Sequence, residues 1–156
     1  MRAVFYDTWA FLALADVRDH GHGAVVTADR WLQRAGFVAV TNDHVFGETL
    51  TAVHAAVGSS AALMLADTLF VGVEAGLLQL VEINRERRDA ATATFRRLAA
   101  KIPRLSFADC TSFAVMRELG IRHALTADSH FLAAGPGIRP LFVRRAGKLV
   151  YEPPTT

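Results

Sequence analysis

Four acidic side chains lie within or directly beside apolar segments, or in the first turn of a helix. Asp7 ends a short apolar run, and Glu48 interrupts an otherwise apolar helical stretch. Asp109 stands in the first turn of another predicted helix, and Asp128 follows a strand-like run. Carboxylates brought together repel one another unless cations neutralise them. Oxygen ligands suit hard cations such as Mg²⁺ or Mn²⁺, and a cation held in this way can activate water for attack on a phosphodiester.

Each of these acids also has a simpler interpretation. Asp109 stands three residues after Ser106, a spacing typical of a capping box, so it could serve only to cap its helix. Asp7 and Asp128 could be ordinary loop acids, and Glu48 could face solvent on the outer side of its helix. The prediction of a metal site therefore depends on the four acids jointly and on a fold that brings them together.

The elements that must position the acids are short apolar runs alternating with segments of helical spacing. The apolar runs predict strands at residues 3–6, 38–41, 78–83, 123–125 and 141–143, with a sixth candidate at 149–151 after an Ala146-Gly147 turn. Helical spacing predicts helices at residues 8–14, 19–35, 43–58, 60–76, 89–100 and 106–120. This alternation indicates an α/β fold with a mainly parallel sheet, in which ligands bind at the carboxyl ends of the strands.

Length and composition agree with one α/β domain. The 156 residues fit a single domain, which we place at residues 1–150, and the tail at 151–156 is expected to be flexible. Apolar residues make up 52% of the chain, enough for a sizeable core. The longest apolar tract, residues 61–83, carries three acids and is not a membrane span. A single cysteine, Cys110, excludes an internal disulfide framework and a multi-cysteine metal site, and it suits a reducing cytoplasm.

Basic residues are concentrated in one short segment. Residues 84–104 hold seven basic and two acidic side chains, although the net charge of the whole chain is only +2. Such a basic segment favours a polyanionic partner, with the side chains contacting phosphates without reading sequence. The predicted phosphate contacts are Arg85, Arg88, Arg96, Arg97 and Lys101. The alternative is an ordinary solvated helix face.

Four segments together resemble the PIN-domain family, particularly the VapC-type ribonuclease toxins of bacterial and archaeal toxin–antitoxin pairs. They read VFYDTWAFLAL, TNDHVFGETLTAV, LSFADCTSFAVMRELGI and HALTADSHF. The resemblance runs from about Val4 to Val143, and the third and fourth segments are the most specific. It implies a three-layer α/β/α fold with a short, mainly parallel sheet of four to six strands.

The resemblance also implies an activity and a set of site residues. The activity is that of a Mg²⁺- or Mn²⁺-dependent endoribonuclease that leaves a 3′-hydroxyl and a 5′-phosphate. The acidic quartet of the family corresponds to Asp7, Glu48, Asp109 and Asp128 as metal ligands, and the hydroxyl beside the metal corresponds to Thr126. A small antitoxin protein and a homodimer are the implied partners, with the helices between residues 43 and 76 as the contact surface.

Two departures from the family pattern keep a second reading open. Trp9 replaces a small polar residue that would help to order water, and Ser129 follows Asp128 where the family often has a charged residue. The alternative function is therefore a weak or inactive PIN-like domain that binds RNA or a protein. A phosphatase with Asp7 as nucleophile is disfavoured, because such enzymes need a second acid at the position of Trp9.

The remaining reactive residue types are predicted to be structural. His20 and His22 lack a third ligand at a recognisable spacing, and Cys110 is expected to be a small core residue. His130 is expected to support the loop that carries Asp128. No glycine-rich nucleotide-binding motif is present in the sequence.

Overall fold

The computed structural model describes residues 2–133 and 137–154. Its strands are β1 (Ala3–Tyr6), β2 (Val38–Asn42), β3 (Leu78–Val81), β4 (His123–Leu125), β5 (Arg139–Pro140), β6 (Phe142–Arg145) and β7 (Lys148–Tyr151). Its helices are α1 (Thr8–Ala15), α2 (His22–Arg34), α3 (Asp43–Ala56), α4 (Ser59–Glu74), α5 (Arg85–Leu98), α6 (Phe107–Glu118) and α7 (His130–Ala133).

A five-stranded parallel sheet in the order β3-β2-β1-β4-β5 forms the centre of the molecule. Helices flank this sheet, which confirms the α/β/α class expected from the sequence. The strands are nearly all apolar because helices cover them, as is usual in parallel sheets. Phe5 of β1 and Phe113 of α6 are among the fully buried side chains of the core.

The predicted fifth and sixth strands are both present, but they lie outside the main sheet. Residues 142–145 and 148–151 instead pair with each other as a separate antiparallel hairpin, β6-β7. The two-residue turn between them has positive φ at both Ala146 (49°) and Gly147 (77°), as a type I′ turn requires. A turn this short joins strands only antiparallel, so the hairpin cannot extend a parallel sheet. The fifth strand of the main sheet is the two-residue β5.

The basic helix α5 begins four residues earlier than predicted. The Asn84 side chain accepts a hydrogen bond from the backbone N–H of Arg87 and so caps the helix at Arg85. The α3 helix is capped in the same way by Asn42, whose side chain accepts from Val45. The predicted start at residue 89 overlooks this cap.

The last residues of the chain were expected to form a flexible tail, and no membrane span was expected. Of the residues expected to form a flexible tail, Tyr151 lies in β7 and Pro154 is buried, while Thr155 and Thr156 lie outside the described residues. Within the described ranges, no helix combines the length and the apolar character needed to cross a bilayer.

Candidate metal centre

Asp7 and Thr126 meet because their strands are neighbours. Strand β1 pairs with β4 in a register that sets Tyr6 beside Leu125, so the residues that follow them also lie side by side. The Thr126 hydroxyl donates a hydrogen bond of 2.9 Å to Oδ2 of Asp7. Asp7 is 6% exposed and Thr126 is fully buried. The register of two central strands thus fixes the Asp7 carboxylate at the carboxyl edge of the sheet.

Asp109 belongs to the capping box of α6 and also faces the same edge. Its backbone N–H donates to Oγ of Ser106, and its Oδ2 accepts from the backbone N–H of Ser106, each at 2.9 Å. The prediction that Asp109 caps its helix is therefore confirmed. The cap does not exclude a second role, because Asp109 also lines a cavity with other acids.

Removing the Ser106 hydroxyl should weaken the protein without unfolding it. Ser106→Ala leaves the Asp109 N–H without its acceptor, so we expect a loss of about 1 kcal/mol in the free energy of unfolding. Ser106→Gly is the matched variant and should cost only a few tenths of a kcal/mol. Urea denaturation of both variants measures this difference. Equal midpoints for Ser106→Ala and the wild type would contradict the capping role.

Asp128 and His130 form a compact turn after β4. The Asp128 Oδ1 accepts a 2.8 Å hydrogen bond from the backbone N–H of His130. The Asp128 backbone N–H donates to the Thr126 hydroxyl at 3.0 Å. The His130 ring points back at the acids, with Nδ1 at 3.2 Å from Asp109 Oδ2 and 3.5 Å from Asp128 Oδ1. One possible ligand atom from each of these three residues lies within 4.8 Å of the other two.

Glu48 reaches the site from α3, which packs against α1. The Thr8 hydroxyl, in the first turn of α1, donates a short hydrogen bond to Glu48 Oε2. Glu48 is exposed, as its simpler interpretation expected, yet this bond holds its carboxylate at the wall of the same cavity. Thr8, the residue directly after Asp7, therefore connects Glu48 to the rest of the site.

The acids surround one open cavity of about 350 Å³, which we call the acidic cavity. Its lining residues are Asp7, Thr8, Trp9, Glu48, Ala52, Arg104, Ser106, Asp109, Asp128 and His130. All four acids predicted from the sequence are thus brought together, and Thr126 lies directly behind them against Asp7. Trp9 lines the cavity and packs its ring on Phe142 at 5.4 Å between centroids.

The electrostatics of the acidic cavity favour a bound cation. The pKa of Asp7 is raised from its ordinary value of 3.8 to about 7, chiefly by burial and in smaller part by the charges of Asp109 and Asp128, while hydrogen bonds from Thr126 and the Thr8 backbone act in the opposite direction. A divalent cation would relieve this burial and repulsion. The carboxylate oxygens of the four acids form a donor set that fits Mg²⁺ or Mn²⁺. The residues present therefore fit the metal that the sequence predicted.

Sequence reasoning assigned no metal-binding role to His130 or Arg104, although both line the acidic cavity. His130 is expected from sequence only to support a loop, although it stands two residues after Asp128. Arg104 has no role in the sequence-based prediction, although it stands two residues before Ser106. Proximity in sequence to a predicted site acid was the available signal in both cases.

The basic helix α5 runs antiparallel to α6, and only one of its ends approaches the acidic cavity. At the start of α5, Arg87 forms an ion pair of 2.7 Å with Glu118 at the end of α6. Near the end of α5, the ring of Phe95 lies 6.2 Å from that of Phe107 in the first turn of α6. Arg96 and Arg97 thus lie toward the cavity, whereas Arg85 and Arg88 lie at the opposite end.

The other reactive residue types have structural surroundings. Cys110 is fully buried, and burial raises the pKa of its thiol to about 11, so it is not a nucleophile at neutral pH. The Nδ1 of His22 is 2.7 Å from the carbonyl oxygen of Ala13. His20 and His22 do not belong to the acidic cavity.

Comparison with known proteins identifies relatives over most of the chain. The model of the PIN-domain family matches residues 4–135. Among curated proteins, the 23S rRNA-specific endonuclease VapC20 of Mycobacterium tuberculosis is 35% identical over 133 residues, which cover 85% of this chain and 94% of the relative.

Solved structures give the same result. The crystal structure of VapC20 from Mycobacterium tuberculosis, described as a toxin that cleaves the sarcin–ricin loop, matches with a TM-score of 0.70 and 30% identity. That match covers 85% of this chain and 95% of VapC20. VapBC2 of Rickettsia felis, bound to a DNA fragment from its promoter, matches with a TM-score of 0.65 over 88% of this chain and 96% of the other. Its 9% identity makes it a match of fold alone.

Proposed function

Because this chain belongs to the PIN-domain family, we propose that it is a metal-dependent endoribonuclease that hydrolyses RNA phosphodiester bonds as the toxin of a type II toxin–antitoxin pair. The observation that carries the proposal is the convergence of Asp7, Glu48, Asp109 and Asp128 on one cavity. The relative of 35% identity is an endonuclease of ribosomal RNA, which supports RNA as the substrate. The cytoplasm, where such a substrate is found, is the proposed place of action.

The residues of the acidic cavity divide into ligands and supports. Asp7 and Asp109 are the proposed principal ligands, and Glu48 and Asp128 bind the cation directly, hold its waters or bind a second ion. Thr126 fixes the Asp7 carboxylate, and Thr8 fixes that of Glu48. A divalent cation held by these residues would lower the pKa of water and offset the charge that develops on the phosphate. No protein nucleophile is needed.

The substrate backbone is proposed to lie along the near end of the basic helix. Arg96 and Arg97 at the end of α5 and Lys101 in the segment after it are all exposed. This end of the helix pair is the one closest to the acidic cavity, where Arg104 forms part of the wall. Their guanidinium and ammonium groups suit the phosphates on either side of the scissile bond. Of the five phosphate contacts predicted from the sequence, we retain Arg96, Arg97 and Lys101. Arg85 and Arg88 are not retained, because they lie roughly 14–18 Å from Arg97 along the helix.

A protein partner is proposed to cover an apolar surface on α4. Leu63, Met64, Phe70 and Val71 are all more than half exposed, which is unusual for a protein that functions alone. Beside them an apolar cleft of about 580 Å³ lies between α4 and the first two helices, with Phe11 and Leu65 among its lining. A small antitoxin is the proposed partner, and a homodimer is a further proposal for the same helices.

RNA cleavage with controlled metal content tests the proposed function. Purified protein is incubated with a sarcin–ricin loop RNA, the substrate of the VapC20 relative, after removal of divalent cations with EDTA. We expect no cleavage in EDTA and recovery when Mg²⁺ or Mn²⁺ is added in excess, because the acids alone provide no activated water. The Asp109→Asn variant, assayed with excess metal, controls for contaminating nucleases.

The alternative function predicts a different outcome in the same assay. Trp9 at the cavity wall favours a weak or inactive domain that binds RNA or protein. RNA binding without any cleavage that responds to EDTA would support that alternative. Cleavage that EDTA leaves unchanged would contradict the metal-dependent mechanism itself.

A further inference from the structure

The position of the His130 ring suggests a role beyond support of a loop. Its Nδ1 lies 3.2 Å from Asp109 Oδ2 and 3.5 Å from Asp128 Oδ1. Charge-assisted hydrogen bonds between a ring N–H and a carboxylate are usually shorter, about 2.7–2.9 Å. Two adjacent ligands of one cation, each at about 2.1 Å and at right angles, lie roughly 3 Å apart. The observed spacing therefore matches that of ligands sharing a cation, and it is also at the long end of the range of an ordinary N–H···O hydrogen bond.

Contacts of the main chain and of the next residue position His130 beside the two carboxylates. Its backbone N–H donates to Asp128 Oδ1 at 2.8 Å. The next residue, Phe131, is fully buried and meets Phe113 of α6 edge to face, with 5.1 Å between centroids. The backbone of His130 and the residue after it are therefore anchored, and the imidazole Nδ1 lies within 3.5 Å of both carboxylates with no cation bound.

From this geometry we propose that His130 Nδ1 is a ligand of the divalent cation, together with Asp109 and Asp128, and that it makes the site prefer Mn²⁺ to Mg²⁺. The proposal rests on the metal dependence proposed above. Mg²⁺ is bound in proteins almost entirely by oxygen, whereas an imidazole ligand suits the transition metals. The ligand form is the neutral ring, with its proton on Nε2.

The competing role for His130 is positioning alone. In that case Nδ1–H donates to Asp109 and orients the carboxylate, and the cation has only oxygen ligands. Positioning predicts that loss of the ring weakens Mn²⁺ and Mg²⁺ binding alike. Ligation predicts a nitrogen bonded to the metal and a selective loss of Mn²⁺.

Pulsed electron paramagnetic resonance of the Mn²⁺-loaded protein distinguishes the two roles. We expect a ¹⁴N coupling characteristic of a bound imidazole, replaced by a ¹⁵N coupling when the wild-type protein is labelled with ¹⁵N-histidine. His130→Gln should lose the coupling, and His20→Gln, which changes an exposed histidine away from the cavity, should keep it. The labelled wild type answers the question even if His130→Gln does not fold.

Binding affinities provide a second readout that does not depend on catalysis. By calorimetry, His130→Gln should bind Mn²⁺ at least about tenfold more weakly than the wild type, with a smaller loss for Mg²⁺. Bound Mn²⁺ without a histidine coupling, or equal losses for both ions, would overturn the ligand role of His130 and leave the proposed nuclease intact. Failure of the wild type to bind either ion would overturn both proposals.

Discussion

Asp7→Asn should abolish RNA cleavage and at the same time stabilise the metal-free protein. We expect cleavage to fall at least ~100-fold, because residues that only support a metal ligand already change affinity or activity by about 10–100-fold. The fold should persist, since the asparagine oxygen can still accept the hydrogen bond from Thr126. Loss of function should therefore not come from unfolding.

The gain in stability follows from the pKa of Asp7. Its value rises from 3.8 to about 7 in the metal-free fold, chiefly because the carboxylate is buried. The native state then holds a proton that the unfolded chain releases between pH 4 and 7. The contribution of Asp7 to stability is thus complete below pH 4 and declines as the pH rises to 7. The asparagine side chain of the variant has no charge to bury, so the variant should be more stable above pH 7, by up to about 4 kcal/mol.

Thermal or urea unfolding in EDTA at pH 4 and pH 8, together with the cleavage assay, measures both effects. The advantage of Asp7→Asn should appear at pH 8 and disappear at pH 4. Asp67→Asn, which neutralises an exposed acid on α4, is the control and should change neither quantity. Wild-type cleavage rates in purified Asp7→Asn would refute the site assignment.

Removing the two arginines at the near end of α5 should weaken RNA binding far more than removing two at its far end. Arg96→Ala/Arg97→Ala should lower the affinity for RNA about tenfold or more near 0.1 M salt, because two phosphate contacts are lost. The dependence of log affinity on log salt should become shallower by about 1.4 to 2. Binding is measured in the Asp7→Asn background, so that the RNA remains intact.

Arg85→Ala/Arg88→Ala is the matched control for this experiment. It removes the same charge from the same helix, but at the end where Arg87 pairs with Glu118 and away from the acidic cavity. The control pair should therefore shift affinity only by the general effect of net charge. Equal losses for the two double variants would mean that α5 acts as a diffuse basic surface, and unchanged binding in both would remove it from the RNA interface.

The fold class and the positions of the acids were predictable because their signals are local. An apolar run followed by Asp7 or Asp128 identifies a strand end, and the Ser106 capping box identifies a helix start. The strands of the hairpin β6-β7 and the Ala146-Gly147 turn were predicted, but their pairing was not, because strand patterns do not specify a partner. Helix α5 was predicted too short because the Asn84 cap was overlooked.

By itself, the sequence predicted which acids could bind a metal, and it indicated the parallel sheet that carries them, since strand and helix patterns arise from neighbouring residues. Only the tertiary structure decided how the groups meet. The bond from Thr126 to Asp7 spans 119 positions and depends on the register of β1 with β4. The antiparallel packing of α5 on α6 decided which arginines approach the cavity, and burial among other carboxylates raised the pKa of Asp7. Pairing, packing and desolvation act between distant segments, so no local pattern contains them.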